Sequence, residues 1–287
     1  MAPTILITGA SGQLGKLVLT ELLKTTPADQ IAALVRRPEA AAEIEALGVT
    51  ARMGDYTDPA ALSAAMDGIE KLLLISSSEV GQRAPQHRNV IDAAKVAGVS
   101  LIAYTSLLRA NSSPLALAAE HVETEAYLAE SGVPHVLLRN GWYTENNVGT
   151  AGMAIEHGTY IGSIGEGRIS GAARADYAAA AAAVLTSDDA QAGKVYELAG
   201  DASYSLNDLA QETTKLAGKP IAYTDLPEAD YAGALVQAGL PEGFAAVLAD
   251  SDVGASKGAL EENGKTLSAL IGRPTTPWQD TLADVLA

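Results

Sequence analysis

The sequence contains no cysteine, and its 19 lysine and arginine residues are outnumbered by 35 aspartate and glutamate residues. Without cysteine the chain forms no disulfide, has no thiolate nucleophile and cannot ligate zinc or an iron–sulfur cluster through sulfur. The formal net charge of −16 repels phosphate backbones and anionic lipid surfaces. We therefore expect neither a nucleic-acid partner nor a membrane partner.

Long apolar runs and an export signal are also missing. No segment approaches the roughly 20 apolar residues that span a bilayer, and the start MAPTILITG lacks the basic and cleavage regions of a signal peptide. The sequence thus favours a cytoplasmic location. The four histidines show no spacing typical of metal ligands, so we expect no metal site.

Short strand-like runs alternate with amphipathic helical runs in the first half of the chain. Strands are predicted at residues 4–8, 31–35, 49–53, 71–75, 101–105 and 135–139. Six such repeats predict an α/β fold, in which a parallel sheet is covered by helices on both faces. We expect a Rossmann doubly wound sheet in the order 3-2-1-4-5-6, with the ligand crevice at the carboxyl ends of strands one and four.

The regular alternation stops after about residue 140. We assign residues 1–140 to the Rossmann domain and residues 141–287 to a smaller C-terminal α/β lobe on the substrate side, whose elements can interleave with the sheet. Within this lobe a strand is predicted at residues 195–198. The polar, glycine-rich stretch at residues 250–264 is predicted to be a loop.

A glycine-rich turn, residues 9–15, follows the first strand and opens a helix with the spacing GxxGxxG. Its backbone N–H groups and the helix N-terminus can approach a pyrophosphate without interference from side chains. The pattern alone also fits an ordinary tight turn, but its place after the first strand favours a dinucleotide site. The predicted cofactor contacts in this turn are Gly9, Ala10, Ser11, Gly12, Gln13 and Leu14.

The second strand ends at Val35-Arg36-Arg37-Pro38, where an NAD-specific protein usually has an acidic residue. A guanidinium at this position can bind a 2′-phosphate through two hydrogen bonds, so Arg36 favours NADPH. The alternative is a pair of solvated arginines before a helix. Asp55, after the third strand, is a candidate acceptor for the adenine amino group or an N-cap of the next turn.

Polar groups also follow the fourth and sixth strands. Ser76, Ser77 and Ser78 are expected beside the nicotinamide ribose, although serines in loops often serve local hydrogen bonds. The sixth strand leads into a carboxamide, a glycine and two aromatic residues, which suit nicotinamide and a flat substrate. The residues of this second group are Asn140, Gly141, Trp142, Tyr143, Thr144 and Glu145.

A catalytic residue pair that is common in enzymes of this fold is missing from the sequence. Ordinary short-chain dehydrogenases carry a Tyr-x-x-x-Lys pair on the helix after the fifth strand, where the lysine lowers the tyrosine pKa. If His121 occupies the tyrosine position here, Glu125 occupies the lysine position. Alcohol or ketone reduction by that mechanism is therefore not expected. His121 is a candidate acid, with a structural role as the alternative.

Three segments together resemble the NmrA-like atypical short-chain dehydrogenases, and within them the bacterial NADPH-dependent quinone oxidoreductases related to triphenylmethane reductase. They are residues 7–15 (ITGASGQLG), 73–79 (LLISSSE) and 138–143 (LRNGWY), and the resemblance extends over nearly the whole chain. The resemblance implies hydride transfer from NADPH to a quinone, which needs little acid assistance.

The resemblance also implies a placement of the ligands. NADPH would lie across the glycine turn with its 2′-phosphate on Arg36 and its nicotinamide near Ser76, Ser77 and Asn140. The quinone would stack beside Tyr143, which with His121 is a candidate catalytic residue. Arg174 is a further candidate cofactor contact from the smaller lobe, or half of an ion pair at a helix start.

Other readings of the same family remain open. NmrA itself is a regulator, so a redox sensor that binds NADP(H) without turnover is one alternative, and a reductase of triarylmethane dyes or another flat electrophile is a second. A monomer or a homodimer is expected.

Overall fold

The strands form where apolar, β-branched runs can be buried on both faces of a sheet. A computed structural model, which describes residues 2–287, contains a seven-stranded sheet in the order 3-2-1-4-5-6-8. Every residue of β2 and β5 is buried. The strands of this sheet are β1 Ile5–Ile7, β2 Ile31–Val35, β3 Thr50–Met53, β4 Lys71–Leu74, β5 Leu101–Leu107, β6 His135–Asn140 and β8 Val195–Leu198.

Helices connect the strands, and β1 to β6 pair in parallel with their neighbours in the sheet. The predicted Rossmann order of these six strands is therefore confirmed. The connecting helices are α1 Gln13–Leu22, α2 Pro38–Glu45, α3 Pro59–Ala65, α4 Arg83–Ala97 and α5 Ala118–Ser131. One face of the sheet packs on α3 and α4 through a core that includes Leu62, Leu72, Ile91 and Tyr104.

The remaining elements follow β6. A second sheet of two parallel strands, β7 Thr159–Gly162 and β9 Ala222–Asp225, was not predicted from the sequence. The helices are α6 Thr144–Val148, α7 Ala151–His157, α8 Arg174–Thr186, α9 Leu206–Ala217, α10 Glu228–Gln237, α11 Glu242–Ser256, α12 Thr266–Ile271 and α13 Trp278–Leu286.

The chain forms two compact units whose segments interleave. The first contains the residues up to Ala110 together with Ala119–Asn140 and Arg174–Glu197. The second contains Asn111–Ala118, Gly141–Ala173 and Leu198–Ala287. One segment of the first unit ends at Asn140, and α8 returns to this unit, where it packs against α1.

One sequence prediction in the second half of the chain was confirmed and another was wrong. The strand predicted at residues 195–198 is present as β8, which interleaves with the main sheet and extends it beyond β6, where the Leu137 N–H donates to the Lys194 carbonyl (3.0 Å). This pairing covers an edge that would otherwise expose its backbone groups. Residues 250–256, predicted as loop, form the end of α11.

The polar residues at the end of α11 can be helical because they are buried and have hydrogen-bond partners. The Ser251 hydroxyl donates to the Val247 carbonyl (2.7 Å), and the Asp252 carboxylate accepts from the Ser163 N–H (2.9 Å). A Cβ at Gly254 would lie 2.1 Å from Leu115 Cδ2, so the missing side chain lets α11 pack closely against Leu115. Small and polar residues therefore signal close packing at this site rather than a loop.

Candidate active site

The predicted nucleotide-binding groups of the first unit lie along one edge of the main sheet. Because β1 to β6 are parallel, the segments that follow their carboxyl ends are neighbours. Across this edge the order is Asp55 after β3, Arg36 after β2, the glycine turn after β1, residues 76–78 after β4 and Asn140 at the end of β6. The chain thus brings these predicted residues to the place where α/β sheets bind ligands.

The glycine turn has the geometry of a phosphate cradle. Gly9 has a φ of 59°, which disfavours any side chain, and a Cβ at Gly15 would lie 2.4 Å from the Gly9 carbonyl oxygen. Gly12 is the N-cap of α1 and supplies no side-chain acceptor to the first N–H groups of that helix. An anion can satisfy those donors, so the turn fits a pyrophosphate.

Arg36 is exposed and already has carboxylate partners. Its Nη1 lies 3.2 Å from Glu79 Oε1 and 3.5 Å from Asp55 Oδ2. Asp55 Oδ1 also accepts from the Thr57 N–H (2.8 Å) and hydroxyl (2.6 Å), and these bonds together with Arg36 lower the pKa of Asp55. The bond from the Thr57 N–H agrees with the alternative role of Asp55 as the cap of the next turn, and the helix α3 itself is capped by Asp58.

Residues 76–78 are held by hydrogen bonds to their backbone. The Ser76 N–H donates to Thr105 Oγ1 (2.9 Å), and the Ser77 N–H donates to His87 Nε2 (2.9 Å). The Ser77 carbonyl accepts from Arg83 Nε (2.6 Å). The segment therefore has a fixed backbone path, and it leaves β4 beside the glycine turn as predicted.

His87 and Arg83, which fix this segment, were missed by the sequence analysis. The Thr124 hydroxyl donates to the Glu120 carbonyl (2.8 Å), so it accepts from His87 Nδ1 (2.9 Å) and His87 is neutral with its proton on Nδ1. Burial, with a smaller effect of Arg83, lowers the pKa of His87 to about 3. The sequence does contain a signal for this pair, because Arg83 and His87 are four residues apart and therefore lie on one face of α4.

His121 is buried beside Tyr104 on β5. The Tyr104 hydroxyl and His121 Nδ1 are 2.7 Å apart. Burial, with smaller effects of Arg83 and His87, lowers the pKa of His121 to about 3, and burial raises the pKa of Tyr104. A neutral imidazole with this partner favours the structural alternative for His121, and its catalytic role stays a prediction.

Glu125, at the position of the missing lysine, belongs to a buried ion-pair network. Arg139 binds Glu125 through two hydrogen bonds (Nε to Oε1 2.9 Å, Nη2 to Oε2 2.6 Å) and binds Glu197 through Nη1 (2.9 Å). The Ser106 hydroxyl donates to Glu125 as well (2.5 Å). Glu125 thus links α5 to β5 and β6, which accounts for an acidic residue on this helix face.

Asn140 and Arg174 lie in the first unit. The Asn140 side chain is buried, and its Oδ1 has no hydrogen-bond partner. Such an atom is costly unless a ligand or water satisfies it, so it fits the carboxamide of a nicotinamide. Arg174 begins α8. This helix interleaves with the first unit, where it packs against α1, although Arg174 follows residue 140 in the chain.

Residues 141–145 belong to the second unit, where their backbone is anchored. The Gly141 N–H donates to the Leu198 carbonyl (2.8 Å), and the Thr144 N–H donates to the Ala172 carbonyl (2.9 Å). Thr144 begins α6 and is buried, whereas Trp142, Tyr143 and Glu145 are partly exposed. Both aromatic side chains can therefore contact a ligand.

Two further properties of residues 2–287 bear on the site. They contain no group of three or more histidine, aspartate or glutamate side chains arranged to hold a metal ion. None of their helices combines the length and the apolar character needed to cross a membrane.

Comparison with known proteins agrees with this geometry. Residues 9–188 match a family described as NAD(P)H-binding. The chain is 60% identical to quinone oxidoreductase 2 of Escherichia coli over 97% of both chains. The crystal structure of NADPH-dependent quinone oxidoreductase 2 from that organism, complexed with NADPH, has a TM-score of 0.96 at 58% identity and covers 99% of this chain and 100% of its own.

A second similar structure is that of Citrobacter sp. triphenylmethane reductase complexed with NADP(H). It is 36% identical, has a TM-score of 0.93 and covers 98% of this chain and 100% of its own. The predicted resemblance to reductases of this kind is confirmed. The family match and the full-length similarity lead to one conclusion: the chain belongs to the NAD(P)H-binding family that includes quinone oxidoreductase 2.

Proposed function

We propose that the protein is an NADPH-dependent quinone oxidoreductase that reduces a quinone by two electrons. The observation behind this proposal is that the carboxyl edge of the main sheet offers a phosphate cradle and a guanidinium, while the two residues at the positions of the missing Tyr-Lys pair are bound to other side chains. His121 is buried against Tyr104, and Glu125 is paired with Arg139. A site of this kind suits an acceptor whose reduced form is weakly basic.

The reaction requires little from the protein beyond positioning. Bound NADPH supplies a hydride to the quinone, and the resulting hydroquinonate takes one proton from water to give the hydroquinone and NADP⁺. The 60% identity to quinone oxidoreductase 2 supports this acceptor class.

Each predicted cofactor contact has a role in the proposal, whereas His121 has none. The glycine turn receives the pyrophosphate, Arg36 binds the 2′-phosphate, Asp55 faces the adenine, and Asn140 binds the nicotinamide carboxamide. The uncapped start of α1 and the unpartnered Asn140 Oδ1 support the first and last of these roles. Residues 76–78 bind the nicotinamide ribose, residues 141–145 line the ligands, Tyr143 contacts the quinone, and Arg174 is a second cofactor contact.

The test is oxidation of NADPH at 340 nm with a panel of benzoquinones and naphthoquinones. We expect turnover with several quinones, and a large preference for NADPH over NADH. Tight NADPH binding without turnover of any acceptor would contradict an enzymatic function and would favour the alternative of a redox-sensing regulator. Failure to bind NADPH would contradict the cofactor assignment as well.

A second candidate acceptor is a triarylmethane dye, which the similarity to triphenylmethane reductase favours. Adding such dyes to the same panel separates the two candidate acceptors, because the preferred acceptor has the higher kcat/KM. Cytoplasmic location and a monomer or homodimer are parts of the proposal, and cell fractionation and light scattering test them.

A further inference from the structure

We propose that Glu79 competes with the 2′-phosphate of the cofactor for Arg36, and so sets how strongly the protein prefers NADPH to NADH and how quickly it releases NADP⁺. The inference rests on the NADPH assignment of the proposed function. Glu79 lies outside the predicted set of cofactor contacts, and it forms an ion pair with Arg36 within the first unit.

The ion pair crosses the place where a dinucleotide would lie. Arg36 directly follows β2, and Glu79 lies five residues after the end of β4. In the sheet β1 lies between β2 and β4. The contact between Arg36 Nη1 and Glu79 Oε1 (3.2 Å) therefore passes across the carboxyl end of β1, from which the glycine turn leaves.

Glu79 is held in this position by its own neighbours. Its Oε2 accepts from Gln86 Nε2 (2.8 Å), and Gln86 is buried on α4. Its backbone N–H donates to Ser77 Oγ (3.2 Å). The carboxylate is therefore anchored from α4 and from the segment after β4, so its position does not depend on Arg36.

A 2′-phosphate and a carboxylate seek the same guanidinium donors. When the phosphate binds Arg36, the interaction with Glu79 is weakened or lost, and the anchored carboxylate also repels the incoming dianion. NADH has a neutral 2′-hydroxyl and gains nothing from displacing Glu79. Glu79 should thus weaken NADPH and NADP⁺ selectively, and it should accelerate the release of the oxidised cofactor.

The solvent exposure of Arg36 and Glu79 limits how strongly Glu79 can change the affinity for the cofactor. The side chains of Arg36 and Glu79 are 63% and 48% exposed, so water and salt screen their interaction. Exposed pairs contribute little, and a single substitution is expected to change cofactor affinity by only about threefold. Such a change is measurable when each variant is compared with a matched control.

The experiment measures dissociation constants of NADPH, NADP⁺ and NADH by fluorescence titration, and NADP⁺ dissociation rates by stopped flow. The variant E79Q removes the charge but keeps an oxygen acceptor for Gln86. We expect E79Q to tighten NADPH and NADP⁺ by about threefold, to slow NADP⁺ release similarly and to leave NADH within about 1.5-fold. The control E123Q, a carboxylate of 49% exposure paired with Arg88, should change none of these values.

A double-mutant cycle with R36A identifies the cause. Competition requires Arg36, whereas direct repulsion of the phosphate by Glu79 does not, so E79Q should tighten NADPH clearly less in the R36A background than in the unaltered protein. Equal tightening in both backgrounds, equal tightening of NADPH and NADH, or no change in E79Q would each overturn the proposal. Absence of NADPH binding by the unaltered protein would instead refute the cofactor assignment, so the two failures are distinguishable.

Discussion

His121 illustrates how the surroundings of one side chain limit its chemistry. The sequence predicts it as the residue in place of a catalytic tyrosine, but it gives no information on burial. In the structure His121 is buried and its Nδ1 is 2.7 Å from the Tyr104 hydroxyl. With a pKa lowered to about 3, its imidazole is neutral at physiological pH and has no imidazolium proton to give.

We therefore predict that H121Q retains quinone turnover. Its kcat should remain within about threefold of the unaltered protein from pH 6 to pH 8, because general acid catalysis typically contributes about 100-fold or more. Steady-state oxidation of NADPH across this pH range measures the effect, with circular dichroism as the control for folding. A loss of about 100-fold with intact folding would instead identify His121 as the acid.

Asp252 is a buried carboxylate in the second unit, and it lies outside every predicted site. Burial, together with Asp225, raises its pKa to about 6, although the hydrogen bond from the Ser163 N–H lowers it. Tyr231 on α10 is close enough for its own pKa to be raised in part by Asp252. The folded protein thus holds this proton more tightly than the unfolded chain, whose ordinary aspartate pKa is about 3.9.

The sign of the pH effect follows from this shift. The contribution of protonated Asp252 to the stability of the fold is fully present below its pKa in the unfolded chain, and it is lost as the pH rises through about 6. D252N keeps an acceptor for Ser163 without the charge, so its free energy of unfolding relative to the unaltered protein should rise by roughly 2 kcal/mol between pH 4.5 and pH 8. Urea unfolding at both pH values measures this difference. A pH-independent difference would show that Asp252 titrates normally.

At the scale of elements, the network around Arg139 joins three strands and a helix. Glu125 comes from α5, Arg139 from β6, Glu197 from β8 and Ser106 from β5. Glu197 also accepts from the Arg109 N–H (2.7 Å), where the chain adopts a φ of 51° after β5. Removing one member of a buried ion pair is costly because its partner is left without compensation.

The variant E125K restores the charge expected of a short-chain dehydrogenase but places a second cation beside Arg139. We expect it to lower the free energy of unfolding by roughly 3 to 5 kcal/mol, as measured by urea denaturation. The control E123K lies two residues away on the same helix in an exposed pair, and it should cost less than about 1 kcal/mol. Similar losses in both variants would argue against a structural role of Glu125.

Elements whose pattern is local could be predicted from the sequence, and those set by long-range contacts could not. The strand β2 was predicted to the residue, because its run of apolar residues needs burial on both faces. The place of β8 beside β6 depends on pairing between residues about 60 positions apart, which periodicity does not reveal. Likewise, Arg36 was chosen by its position, whereas its partner Glu79 appears only once β2 and β4 flank β1.

The whole molecule carries a net charge of −16, while the proposed cofactor is itself anionic. Long-range repulsion should therefore slow the encounter with NADPH, even though Arg36 attracts the phosphate at close range. Salt screens the long-range effect first: the Debye length falls from roughly 20 Å at 20 mM to about 7 Å at 200 mM ionic strength.

We predict that the association rate constant of NADPH increases by about twofold to tenfold between these ionic strengths. The dissociation rate should rise as well, because salt weakens the bond between Arg36 and the phosphate. Stopped-flow fluorescence separates the two rates, and the KM of an uncharged benzoquinone at saturating NADPH serves as the control that should not change. If the association rate falls with salt instead, the local positive charge at the end of β2 governs the encounter, and the total charge of the molecule does not.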